Sequence, residues 1–118
     1  MFWTALYHDA FAGEFEALPE LVQDELLARV SLLVALGPAL GRPHADTLGG
    51  SKHANMTERR FKADNGVWRV AFAFDPARRA VILVAGDKAG VAQKRFYKTL
   101  IAKADSRFTD YLETSKDA

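Results

Sequence analysis

The chain has 118 residues, 49% of them hydrophobic and 26% charged, a composition that excludes a disordered or fibrous chain and fits one folded domain over residues 1–118. It holds no cysteine, which excludes disulfide staples and cysteine-ligated zinc. The net charge of +1 conceals an asymmetry: residues 1–48 carry 2 basic and 7 acidic side chains, net −5, while residues 49–118 carry 14 basic and 8 acidic ones, net +6. A basic C-terminal half suits a polyanionic partner, and the acidic half fits solvated helix faces. Met1-Phe2-Trp3-Thr4 lacks a basic leader, and no apolar run approaches the roughly 18 residues of a membrane span, so a cytoplasmic location is expected.

Residues Phe2 to His8 read as a short aromatic strand, followed by Asp9 as the N-cap of a brief helix to about Ala17. Pro19 opens a second helix, in which Leu18, Val22, Leu26, Val30 and Leu33 share one stripe, and Gly37-Pro38 closes it. Leu27, Leu32 and Leu36 lie off that stripe and either pack against the first helix or await a partner segment. From Leu36 to Ser51, glycines and prolines predict a surface loop. Met56 to Asp64 and Val67 to Phe74 read as strands joined at Asn65-Gly66, Asp75-Pro76-Ala77 turns into a third run from Ala80 to Ala85, and Val91 to about Leu112 reads as a helix. Tyr97, Ile101, Ala104, Phe108 and Tyr111 form its apolar stripe. The expected fold class is α+β, in the order β-α-α-β-β-β-α, with an antiparallel meander covered by helices on one face and its other face open.

A two-residue turn at Asn65-Gly66 pairs Lys62 with Arg69 and Phe61 with Val70. Strand alternation then sends Trp68, Val70, Phe72 and Phe74 to the covered side, and Val67, Arg69, Ala71 and Ala73 to the open side with Arg60 and Lys62. Cations directly opposite each other destabilise a sheet by up to about 1 kcal/mol, so the pair either binds an anion or splays into water. Ala71 and Ala73 would leave a shallow floor for a polymer backbone. Lys88, and Lys94, Arg95, Tyr97 and Lys98 early in the last helix, would form a rim or, for the helix residues, a solvated face with Tyr97 in the core.

Other chemistries are poorly represented. His8, His44 and His53 lack metal-ligand spacing. Gly49-Gly50-Ser51-Lys52 lacks the first glycine of a phosphate-binding P-loop and precedes a strand. No serine or cysteine nucleophile motif is present.

The stretches Glu58-Arg59-Arg60-Phe61-Lys62, Gly66-Val67-Trp68-Arg69-Val70-Ala71-Phe72 and Leu83-Val84-Ala85-Gly86-Asp87-Lys88 resemble RelE/ParE-superfamily toxins, particularly the HigB and phage Gp49-like branch. The element order agrees over nearly the whole chain. The resemblance implies a toxin of a type II toxin–antitoxin system, an endoribonuclease that needs no metal or other cofactor, cleaves mRNA on the ribosome and is neutralised by a cognate antitoxin, with a homodimer or a toxin–antitoxin heterotetramer as open assemblies. It assigns Arg69 to the scissile phosphate and Lys62 to general base, with a pKa lowered among cations, Lys88 to phosphate binding or transition-state stabilisation, and Tyr97 or Lys94 to acid catalysis or base stacking. Lys52, Arg60, Lys94, Arg95 and Lys98 are the implied RNA contacts. Where the Gp49-like pattern has paired lysines after the last strand, this chain has Asp87 and Lys88, so Asp87 either tethers Lys88 or blunts the charge. Two alternatives stay open: a ParE-like toxin acting on DNA gyrase, which needs no clustered phosphate site, and an inactive antitoxin-binding remnant.

Overall fold

The computed structural model describes residues 3–40 and 45–116; Phe2 of the expected first strand, and Gly41, Pro43 and His44 of the expected loop, lie outside them. Strand β1 (Thr4–Tyr7) leads into helices α1 (Asp9–Glu16) and α2 (Glu20–Leu36). A 3-10 turn (Gly37–Ala39), the short strand β2 (Asp46–Thr47), strands β3 (Thr57–Ala63), β4 (Gly66–Phe74) and β5 (Arg79–Asp87), and helix α3 (Gln93–Lys116) follow. The strands form one five-stranded sheet in the order β1-β5-β4-β3-β2.

The α1 N-cap is His8, whose Nδ1 accepts from the Ala10 amide at 3.1 Å, and Asp9 is the first helical residue rather than the cap. Helix α2 starts after Pro19, where the fixed proline φ suits a helix entrance, and ends at Gly37, whose φ of 55° is free of strain only for glycine. A Cβ there would also strike the Trp3 indole, 2.3 Å from its Nε1. Val22, Leu26, Val30 and Leu33 are buried along the expected stripe. Leu32 packs on the core, whereas Leu27 and Leu36 stay about half exposed, at 48% and 47%.

The meander β3-β4-β5 is antiparallel, as its turns predict, but the sheet is mixed, because β1 pairs in parallel with β5. Turn residues report only pairings between neighbours in sequence, and the Thr4–Arg79 register brings together segments far apart along the chain.

Neither face of the sheet is open. On one side Val70, Phe72, Ala80 and Ile82 meet Phe11, Val22, Leu26 and Leu33 of α1 and α2. On the other, Ala71, Ala73, Val81 and Leu83 lie beneath Phe96, Leu100, Ala104 and Phe108 of α3. Ala71 and Ala73 are therefore not the floor of a groove: both are wholly buried, and their small side chains let the helix approach the sheet. Strand periodicity separates the two faces without revealing that a helix covers each.

The β3–β4 register differs from the expected one. Ala63 pairs with Gly66, Phe61 with Trp68 and Arg60 with Arg69, while Lys62 faces Val67. Asp64 and Asn65, with φ of 50° and 62°, form the turn. A two-residue hairpin turn of this kind requires positive φ at both central positions, and Asp and Asn tolerate it, so Asp64-Asn65 displaces Asn65-Gly66. The shift of two positions leaves each side chain on its predicted face and exchanges the facing cations. Gly66 serves a different purpose: a Cβ there would lie 2.7 Å from Asp87 Oδ2.

Candidate functional site

At the β3–β4 end of the sheet, the first turns of α3 cross above Arg60 and Arg69. Tyr97 sits at the edge of the buried helix stripe, partly buried, and its hydroxyl lies among charged groups. Arg69 Nε donates to Tyr97 Oη at 2.9 Å and Arg60 donates to the same oxygen at 3.3 Å, while Tyr97 Oη donates to Glu58 Oε1 at 3.1 Å. Arg60 Nε also donates to Glu58 Oε1 at 2.9 Å, and this bond is the chief cause that raises the Arg60 pKa.

Arg69 is 9% exposed and has its guanidinium 5.4 Å from the Phe96 ring centroid and 5.7 Å from that of Tyr97, within cation–π range. One of its terminal nitrogens is fixed on the Val67 carbonyl at 3.0 Å. These contacts hold a planar fork in one orientation, as bidentate recognition of a phosphate requires. The β-bulge near Leu83 interrupts the β4–β5 ladder and sets Gly86 opposite Arg69. A Cβ on Gly86 would come within 3.1 Å of the Phe96 ring, so glycine lets that ring settle against the strand.

Arg69 and Lys88 line one open groove of ≈ 460 Å³, with Val67, Asp87 and Val91 among its walls. Asp87 Oδ1 accepts from the Ala89 amide at 3.0 Å, so it shapes the loop that carries Lys88. Lys62 lines a neighbouring hollow on the far side of Val67 and does not face Arg69. Lys94, Arg95 and Lys98 are exposed on α3. Lys52 is not part of the cluster: its amide donates to Asp105, which lies about 12 Å further along the α3 axis than Tyr97 at the usual helical rise.

Glu58 was not singled out from the sequence. It is 3% exposed, and its Oε2 is buried without a hydrogen-bond partner. An orphaned buried carboxylate oxygen costs stability. The available sequence signal was alternation, which places Glu58 on the same strand face as Arg60 and Lys62. Among the described residues, no group of three or more His, Asp or Glu could hold a metal ion, and no helix is long and apolar enough to cross a membrane.

A mixed five-stranded sheet flanked by helices on both faces, in this strand order, defines a RelE-type fold. The E. coli toxin RelE, as a double arginine-to-alanine mutant in the free state, superposes with a TM-score of 0.59 at 12% identity, covering 87% of this chain and 97% of RelE. The chain belongs to the family described as "Phage derived protein Gp49-like (DUF891)", whose model matches residues 13–109. Two proteins of Mycobacterium tuberculosis (strain ATCC 25618 / H37Rv) are similar to it. One, named "Putative toxin HigB2", is 42% identical over 116 residues, 98% of this chain and 57% of that protein. The other, "Putative toxin HigB3", is 42% identical over 98 residues, 83% of each. The chain thus spans little more than half the length of the first relative.

Proposed function

We propose that this chain is the toxin of a type II toxin–antitoxin pair, a single cytoplasmic domain that cleaves mRNA at the ribosome and is held inactive by a cognate antitoxin. The observation that carries this reading is the groove in which Arg69 and Lys88 lie together, with the Tyr97 hydroxyl bridging Arg69 to the buried Glu58 carboxylate. RNA brings its own nucleophile. As the ribose 2′-oxygen attacks the adjacent phosphorus, its proton passes to Tyr97 Oη while the phenolic proton moves to Glu58. The bond to the 5′-oxygen breaks, the Lys88 ammonium protonates that leaving oxygen, and the products are a cyclic phosphate and a 5′-hydroxyl. Arg69 and Arg60 stabilise the doubly charged phosphorane, and the exposed cations Lys62, Lys94, Arg95 and Lys98 hold the flanking backbone. Arg60 thereby takes the place opposite Arg69 that the sequence assigned to Lys62.

The test is induction of the chain alone in a bacterial host, beside Arg69→Ala and Lys88→Ala, with primer-extension mapping of cellular messages. New message ends with wild type that either variant abolishes are the expected result. Growth arrest without new ends would move the reading to a gyrase-type toxin, and normal growth with folded protein would overturn both.

A further inference from the structure

Strand β5 outruns its neighbour. Its parallel pairing with β1 ends at Tyr7–Ile82, yet it continues to Asp87, and α3 passes over that extension. Between them lies a second hollow, ≈ 230 Å³, with an apolar floor of Val84, Phe96 and Leu100 and a rim of Arg95, Thr99 and Lys103. The floor residues are at most 8% exposed, whereas the three rim residues are exposed. Among the described residues, no carboxylate lines it.

Two features tie this slot to the Arg69–Lys88 groove. Val91, 39% exposed, lines both hollows. The Phe96 ring forms part of the slot and also carries the Arg69 guanidinium. An apolar, ring-bearing floor beneath a cationic rim matches the chemistry of a nucleotide, whose flat base is buried while its phosphate stays at the surface. We infer that the slot between β5 and α3 receives one base of the RNA strand whose neighbouring phosphate lies on Arg69 and Lys88, with Arg95 and Lys103 on the backbone outside it. The inference rests on the ribonuclease reading above and adds a subsite that selects sequence context next to the cleaved bond.

Thr99 is exposed on the rim and stands outside the proposed chemistry, so Thr99→Trp fills the slot and Thr99→Ala leaves it open. Cleavage ends are mapped in cells expressing each variant, with thermal melting of the purified proteins alongside. Wild type and Thr99→Ala should share one nucleotide bias at a position beside the cut. Thr99→Trp should flatten that bias and lower cleavage about tenfold, a loss consistent with removing one stacked base. If Thr99→Trp does not fold, Lys103→Ala, on the slot rim and outside the cations assigned to the flanking backbone, should lower cleavage several-fold without moving the melting temperature, and unchanged cleavage there would overturn the inference. A folded Thr99→Trp with wild-type ends and wild-type bias would overturn it and leave the slot to a protein partner. Absence of new ends with wild type itself would instead sink the ribonuclease reading, and the subsite with it.

Discussion

Tyr97 joins the structural and chemical roles of its neighbourhood, because one phenolic oxygen accepts from two guanidiniums and donates to a buried carboxylate. Tyr97→Phe keeps the ring that flanks Arg69 and removes only that oxygen. Cleavage should fall by about 10²- to 10⁴-fold, the usual worth of a positioned acid or base, while losing the bonds to Arg69 and Glu58 costs about 1–3 kcal/mol of stability and leaves the variant folded. A message-cleavage assay on the folded variant checks this, and retained activity would exclude Tyr97 from the proton path. Asp75 is the contrasting case, a buried carboxylate with a structural task. It accepts from the Ala77 and Arg79 amides, from Arg79 Nε at 2.8 Å and from the Tyr111 hydroxyl, and so ties the β4–β5 turn to α3. Burial alone would raise its pKa, but the hydrogen bonds from Tyr111 and Arg79 and the Arg79 charge outweigh it, and the pKa is lowered. A lowered carboxylate pKa contributes stability that is present above the ordinary carboxylate range and is lost as pH falls through the folded value. Asp75→Asn should therefore cost about 2 kcal/mol at neutral pH, and its melting temperature should fall less than that of wild type between about pH 5 and pH 3. Parallel pH-melting curves would contradict this assignment.

At the scale of elements, the position of α3 decides what the basic strand can do. Packed over Ala71 and Ala73, the helix brings Phe96 and Tyr97 to Arg69; on the opposite face it would leave Arg69 in open solvent. Ala73→Leu tests this packing, since extra side-chain volume in a close-packed layer typically costs 1–3 kcal/mol, here about 2 kcal/mol, whereas an exposed floor would tolerate it. Chemical denaturation measures the difference, and a neutral result would contradict the covered face. Gly66 and Asp87 form the opposite rim of the groove. Gly66→Ala should push the Asp87 carboxylate off the Ala89 amide, disturb the Lys88 loop and lower cleavage about tenfold, with a stability loss of no more than about 1 kcal/mol. An unchanged cleavage rate would show that Lys88 needs no such tether.

Over the whole molecule, charge and connectivity divide along the chain. The acidic first third supplies the edge strand β1 and the helices α1 and α2, and the basic remainder builds the groove and the helix that crosses it. Arg107 of α3 bridges the layers, with a bidentate pair to Glu14 at 2.8 and 2.6 Å and a bond to the Leu83 carbonyl at 2.8 Å. RNA binding to a groove of this kind should weaken with salt. Contacts to three or four phosphates predict a slope of log K against log salt of about −2 to −3 for a single strand. Fluorescence anisotropy with a labelled single-stranded RNA checks it, and a slope near zero would contradict a phosphate-binding groove.

Local patterns in the sequence determined the elements themselves. The stripe from Val22 to Leu33, the stop at Gly37, the hairpin near Asn65 and the faces taken by Arg60, Lys62 and Arg69 all follow from helical and strand periodicity or from turn chemistry, which act over a few residues. Tertiary structure alone decided the rest. Which of two adjacent residue pairs formed the turn set Arg60, not Lys62, opposite Arg69. The parallel seat of β1, the helix over Ala71 and Ala73 and the capture of Glu58 by Tyr97 join residues tens of positions apart. Such contacts depend on how apolar faces and buried charges find partners in three dimensions, and no short-range pattern encodes that choice.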